Sequence, residues 1–236
     1  MTIVFSRLVI VCFCTGDYMN GTEYYNIQLK EIEKIKKLDA KPSMLLHSCC
    51  GPCNTYPMEY LSSFFDLTLY FNNHNIYPEE EYTRRYLELM KYVDWFKKEN
   101  NVTIDVVKPH YDNDKYTSLL SHRADEKEGG SRCTMCFALR MNQAMKYASD
   151  HNIEYMTTVM TISRFKDSVV INEVGERLSK TYPNVKYFYS NFKKNDGYNK
   201  SVQISKDHSM YRQTYCGCQF SLTHRELVKR FKEDYK

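Results

Sequence analysis

The sequence predicts an α/β fold built on an open parallel sheet, and three observations carry that prediction. Short apolar runs alternate along the chain with amphipathic stretches of helical spacing. No repeat, Gly/Ser linker or low-complexity tract divides the 236 residues, a length that supports one large core. A cysteine-rich turn follows the first apolar run, at the kind of strand end where open parallel sheets bind ligands.

The elements follow in order. Ile27, Ile32, Ile35 and Leu38 recur near helical spacing among lysines and glutamates, predicting an amphipathic helix over 24–38 that Pro42 ends. The apolar run 44–47 reads as a strand that stops at Cys49-Cys50-Gly51-Pro52-Cys53, and 55–64 reads as the helix after it. A second strand is expected at 67–71. Pro78 and the acids Glu79, Glu80 and Glu81 then form a helix start, with Tyr82, Tyr86, Leu89, Val93 and Phe96 along one face. Residues 102–107 alternate as a strand closed by Lys108-Pro109. Gly129-Gly130 precedes Arg132-Cys133 and Cys136, and Phe137, Met141, Ala144 and Ala148 continue as a helical face. A strand at 155–160, a helix at 169–182 and a strand at 185–189 complete the alternation.

Composition narrows the class. With 42% hydrophobic and 26% charged residues the chain is globular, and a net charge of +4 neither requires a nucleic-acid partner nor excludes one. The apolar run 3–14 is too short to span a bilayer, and no small-residue cleavage site follows it. Residues 1–23 are therefore expected to be an N-terminal extension, and 24–236 a single domain; Cys12 and Cys14 in that extension are not counted as ligands.

The nine cysteines are the chemical anomaly. Seven fall in three close-set groups: Cys49, Cys50 and Cys53; Cys133 and Cys136; Cys216 and Cys218. Disulfide scaffolds spread their half-cystines, whereas close pairs returning from distant segments suit a thiolate-bound metal or cluster. A single Cys-x-x-Cys can be a coincidence of buried small side chains; three groups together argue against that. Spacing alone does not decide which four of the seven would be ligands. An opening helix dipole and nearby Arg132 favour thiolates at Cys133 and Cys136.

Leu45-Leu46-His47-Ser48-Cys49-Cys50-Gly51-Pro52-Cys53 resembles the opening motif of the cobalamin-independent (QueH-type) epoxyqueuosine reductases. So do the segments 75–82, 132–137 with Arg140, Lys193-Lys194 with Gly197-Tyr198, and 211–218, so that the resemblance runs over about 24–222. It implies a sheet of the HUP (adenine-nucleotide α-hydrolase-like) type with a helical C-terminal part carrying the Cys-x-Cys motif. The implied reaction is removal of the epoxide oxygen from epoxyqueuosine at the wobble position of tRNA, the last step of queuosine formation. By the same resemblance Cys49, Cys50, Cys133 and Cys136 hold a 4Fe-4S cluster, and Cys216 and Cys218 form a redox-active disulfide. A second, mononuclear iron or zinc occurs in such a family; Cys53 is its candidate ligand or else a helix-capping thiol. The implied partners are tRNA and an external electron donor, with no membrane, in a reducing cytoplasm. Two features depart from the family pattern: the N-terminal extension, and Arg164-Phe165 where a proline is expected.

His47, Tyr77, Asp167, Asp207, Tyr211 and Tyr215 lie in or beside these segments as candidate proton donors, but each reads more readily as a structural hydrogen-bonding group and none is counted as catalytic. Arg84-Arg85, Lys193-Lys194 and Arg212, interleaved with tyrosines, are candidate RNA contacts or ordinary solvated faces. Two rival readings are an ATP-using tRNA-modifying enzyme and a structural zinc module. The first lacks the paired glycines and hydroxyls of a phosphate loop after the first strand, and the second is unneeded for stability at this length.

Overall fold

The computed structural model describes residues 19–222. Cys12, Cys14 and residues 1–18 of the expected 1–23 extension lie outside the described residues. Five strands form one parallel sheet in the order β3-β2-β1-β4-β5, the open α/β architecture the alternation predicts. The strands are β1 (Ser43–His47), β2 (Asp66–Tyr70), β3 (Asp105–Val107), β4 (Tyr155–Thr158) and β5 (Lys186–Tyr187).

The helices are α1 (Gly21–Ile35), α2 (Gly51–Ser62), α3 (Glu79–Asn100), α4 (Asn113–Leu120), α5 (Ser131–Asp150), α6 (Ser168–Ser179) and α7 (Gly197–Asp207). Helix α1 begins before residue 24 because Asn20 and Glu23 form a capping box that satisfies the first backbone donors. Helix α2 starts at Gly51, since Pro52 stands in its first turn, where a missing N–H costs nothing.

Side chains alternate across β1 and divide the core in two. Met44 and Leu46 pack with Met58, Leu61 and Leu89 from α2 and α3 on one face. Leu45 packs with Met141, Met145 and Ile171 from α5 and α6 on the other. All of these are almost fully buried, and each contributes on the order of 1.5–3 kcal/mol. Chain order reverses at β1: β2 and β3 follow on one side, β4 and β5 on the other. The carboxyl ends of β1 and β4 thus flank a topological switch point, where open α/β sheets place their ligands. No helix among the described residues is long and apolar enough to cross a membrane.

Candidate active site and metal centre

The turn after β1 is fixed from beneath. Asn54, fully buried, donates to the Cys50 carbonyl at 2.7 Å and accepts from the Ser48 hydroxyl at 2.7 Å. Asn73, in the loop after β2, donates to the Ser48 carbonyl at 2.8 Å. The Ser48 hydroxyl is thereby consumed by the turn and is not presented to a phosphate. Gly51 sits at a close approach: a Cβ there would lie 2.7 Å from the flexible tip of Met210 and 3.2 Å from the Glu88 carbonyl. The result is three sulfurs, of Cys49, Cys50 and Cys53, within 4.8 Å of one another.

These thiols share charge unequally. Hydrogen bonding from Cys49 and Cys53, and then the nearby Arg85 guanidinium, hold Cys50 well below the ordinary thiol range. Cys49 is pushed up to about 12, chiefly by its contact with Cys50, and Cys53 is raised by its contacts with Cys49 and then Cys50. Gln213 Nε2 also donates to the Cys50 sulfur, at 3.1 Å.

Two cations face the sulfurs, Arg140 buried and Lys166 half-buried. Arg140 is 2% exposed and has no carboxylate partner among the described residues; it donates to Asn73 Oδ1 at 3.2 Å and contacts Met160 Sδ at 2.7 Å. Burial works against its charge, but Cys136, Tyr116, Cys216 and Cys49 outweigh it and keep the guanidinium ionised. Lys166 is held protonated in the same way by Cys216, Cys49 and Cys53. A cavity of about 590 Å³ opens among these groups, lined by Cys49, Cys53, Cys216, Arg140 and Lys166. Asn75 Oδ1, Arg140 Nε and Gln213 Oε1, on three lining residues, are buried without a hydrogen-bond partner among the described residues. Closely grouped thiols, an excess of buried positive charge and orphaned polar atoms suit an anionic thiolate-bound metal group.

The loop bearing Cys216 and Cys218 is held over the site by α3. Arg85, 2% exposed, pairs with Glu81 at 2.7 Å and donates to the carbonyls of Cys216 at 3.0 Å and Tyr215 at 3.2 Å. Gly217 takes φ +115° between the two cysteines, and its carbonyl accepts from Tyr77 N–H at 2.8 Å. The seven described cysteines are all free thiols. Burial, then Cys216, pushes Cys218 up to about 12.

Cys133 and Cys136 sit in the first two turns of α5, outside the close group of three sulfurs. They remain in electrostatic reach of Cys216 and Cys218. Burial raises Cys133 despite a 3.2 Å hydrogen bond from Gly129 N–H, so the helix dipole does not prevail there. Arg132 turns away, donating to the carbonyls of Arg123 and Ala124. Tyr116, on α4, donates to Cys136 at its carbonyl (2.9 Å) and its sulfur (3.3 Å).

Several candidates prove to be structural. His47 is fully buried between Thr158 Oγ1 at 2.8 Å and the Asn72 carbonyl at 3.2 Å, and burial lowers its pKa to about 3. Asp167 caps α6, and Asp207 accepts from Gln203. Tyr211 donates to Glu81, with Arg84 stacked 3.4 Å over its ring, while Tyr215 donates to the Tyr77 carbonyl. Arg85 faces inward, and Lys193 donates to the Ser163 and Lys166 carbonyls, leaving Arg84 and Arg212 as the exposed cations of those segments. Arg140 and Gln213 were visible in the motif segments, but nothing in their spacing marks them as buried site residues. Lys166 carried no sequence signal.

Fold and site together define a thiol-centred α/β enzyme in which a cysteine group at the sheet's switch point is able to hold a metal ion. The family model that matches, over residues 44–224, is described as Epoxyqueuosine reductase QueH. Proteins named Epoxyqueuosine reductase QueH from Staphylococcus aureus and Streptococcus pyogenes are each 37% identical to the chain. The first match spans 84% of this chain and 83% of the relative, the second 84% and 77%. A Thermotoga maritima protein of that name is 31% identical over 78% of this chain and 92% of its own. The chain belongs to the epoxyqueuosine reductase QueH family.

Proposed function

We propose that this oxidoreductase removes the epoxide oxygen of epoxyqueuosine at position 34 of tRNA as water, using a 4Fe-4S cluster and a cysteine pair. The observation that carries this reading is the convergence of thiols and buried cations on one cavity of about 590 Å³. Cys49, Cys50, Cys133 and Cys136 are the proposed cluster ligands. When bound, such a cluster supplies single-electron transfer and, at an open metal position, polarisation of an oxygen. Arg140 and Lys166 balance thiolate charge from the protein side.

Cys216 and Cys218 are the proposed redox couple. Oxidation of the two thiols to a disulfide releases two electrons and two protons, and epoxide conversion to an alkene plus water consumes the same number. An external donor then reduces the disulfide. A ring closed between residues two apart is readily reduced, and Gly217 supplies the backbone freedom it requires. The packing of Cys53 against Cys49 and Cys50 favours a further role for it as ligand to a second, mononuclear iron or zinc. The reading takes 24–236 as one reductase domain, with its first helix beginning slightly earlier, and 1–23 as an extension. A reducing cytoplasm, where tRNA is modified and free thiols persist, is the proposed location.

Anaerobic reconstitution with iron and sulfide should give a brown protein with about four irons that deoxygenates epoxyqueuosine in tRNA. Cys133→Ser should lose the colour; Cys216→Ser should keep it and stop turnover. A colourless protein with full activity overturns the cluster, and loss of colour in Cys216→Ser overturns the division of the cysteines.

A further inference from the structure

Phe165 is 73% exposed, more than any other large hydrophobic side chain among the described residues. It stands at the cavity that Cys49, Cys53 and Cys216 also line. It is not on a loose loop. Lys166 N–H donates to the Ser163 carbonyl at 3.2 Å, closing a tight turn, and Phe165 N–H donates to Ser163 Oγ at 3.3 Å. Lys193 Nζ ties both ends of the turn through the carbonyls of Ser163, at 3.4 Å, and Lys166, at 3.0 Å. The Arg164 guanidinium lies 5.0 Å from the Phe165 ring centre and 5.5 Å from that of Tyr198. Arg164 thus lies over the ring, and Lys166 and Arg212 line the same cavity.

We infer that Phe165 is a stacking platform for an unpaired nucleobase adjacent to the base that enters the cavity. This rests on the tRNA reading above. A protein-docking phenylalanine belongs in an apolar patch, whereas this one is pre-ordered on a turn and set among cations, the pairing that holds single-stranded RNA. A base drawn into a cavity leaves its neighbours unstacked, and an aromatic face at the entrance replaces the lost stacking. Lys193 is then a positioning residue that holds the turn, not a phosphate contact.

The test uses the reconstituted full chain and a synthetic anticodon stem-loop with 2-aminopurine beside the wobble position, on one side or the other. In the wild-type protein one of the two probes should be quenched on binding. Phe165→Ala should abolish that quenching and weaken binding roughly 5- to 150-fold, the range for one lost base–aromatic stack. Phe165→Trp should restore both, and iron content and visible spectrum should match wild type in each variant. Wild-type affinity and quenching in Phe165→Ala overturn the inference while leaving the reductase reading intact. Failure of the wild-type protein to bind the stem-loop overturns the tRNA reading and this inference with it.

Discussion

Replacing Arg85 by methionine keeps the aliphatic stem and removes the guanidinium that joins α3 to the Cys216 loop. Both members of the Arg85–Glu81 pair are nearly buried, with side chains 3% and 10% exposed. Removing one partner leaves the other as an uncompensated buried charge, a loss of about 3–5 kcal/mol. Glu81 then keeps only the Tyr211 hydroxyl, at 3.1 Å, among the contacts described for it. For a chain of this size that corresponds to a fall in Tm of roughly 6–20 °C. The double variant Arg85→Met/Glu81→Gln removes the stranded charge and should recover at least half of that fall. Thermal unfolding under anaerobic conditions measures both. The Cys216 and Tyr215 carbonyls also lose their donor, so Cys216 should be alkylated by iodoacetamide faster than in wild type, as read by mass spectrometry. A shift of under about 3 °C, or a double variant no more stable than the single one, would refute the claim that α3 anchors this loop.

Gly217→Ala places a Cβ 2.8 Å from Arg85 Nη1 and 3.1 Å from Ile76 Cγ1 at φ +115°, and should destabilise the fold by about 1–3 kcal/mol. An unchanged urea midpoint would contradict it. His74 accepts from Asp112 N–H at 3.1 Å; burial holds its pKa below 6.5, against the opposing pull of Asp112 and with a small push from His110. Its folded-state pKa being depressed, the unfolded chain takes up the proton first, so stability present above pH 6.5 is lost as pH falls below it. Tm should therefore drop more between pH 7 and pH 5 in wild type than in His74→Gln, and equal drops would rule this out. Stem-loop affinity should weaken roughly 20-fold between 50 and 200 mM salt if three phosphates are neutralised; a salt-independent Kd would remove phosphate contact from the account.

Periodicity disclosed the sheet because the apolar runs of β1, β2 and β4 are buried on both faces. Strand ends were less legible. The run 155–160 stops pairing at Thr158, whose hydroxyl accepts from Met160 N–H and turns the chain into the short 3-10 segment Val159–Ile162. Helices α4 and α7 escaped notice because few apolar residues mark them; Asp112, which caps α4, was the available signal. At the site, the cysteine groups were legible as motifs. Their counter-charges were not, since Arg85 and Arg140 look like surface residues until the fold buries them, and Lys166 until the fold sets it, half-buried, at the cavity. The proximity of Cys53 to Cys49 and Cys50 follows from helical geometry after Gly51, a start that 55–64 alone does not disclose.

The Cys50 sulfur receives its hydrogen bond from Gln213, a residue that lies 163 positions later in the chain. At a synthesis rate of roughly 5–20 residues per second, about 8–30 seconds separate the two on the ribosome. Throughout that interval the thiols after β1 exist without the loop that carries Gln213, Cys216 and Cys218. The cysteine group that could hold a metal ion is thus without this loop during synthesis, and in the finished fold it shares its cavity with Cys216. The Arg85 anchor that fastens that loop therefore also sets when Cys216 joins the thiols made 163 residues earlier.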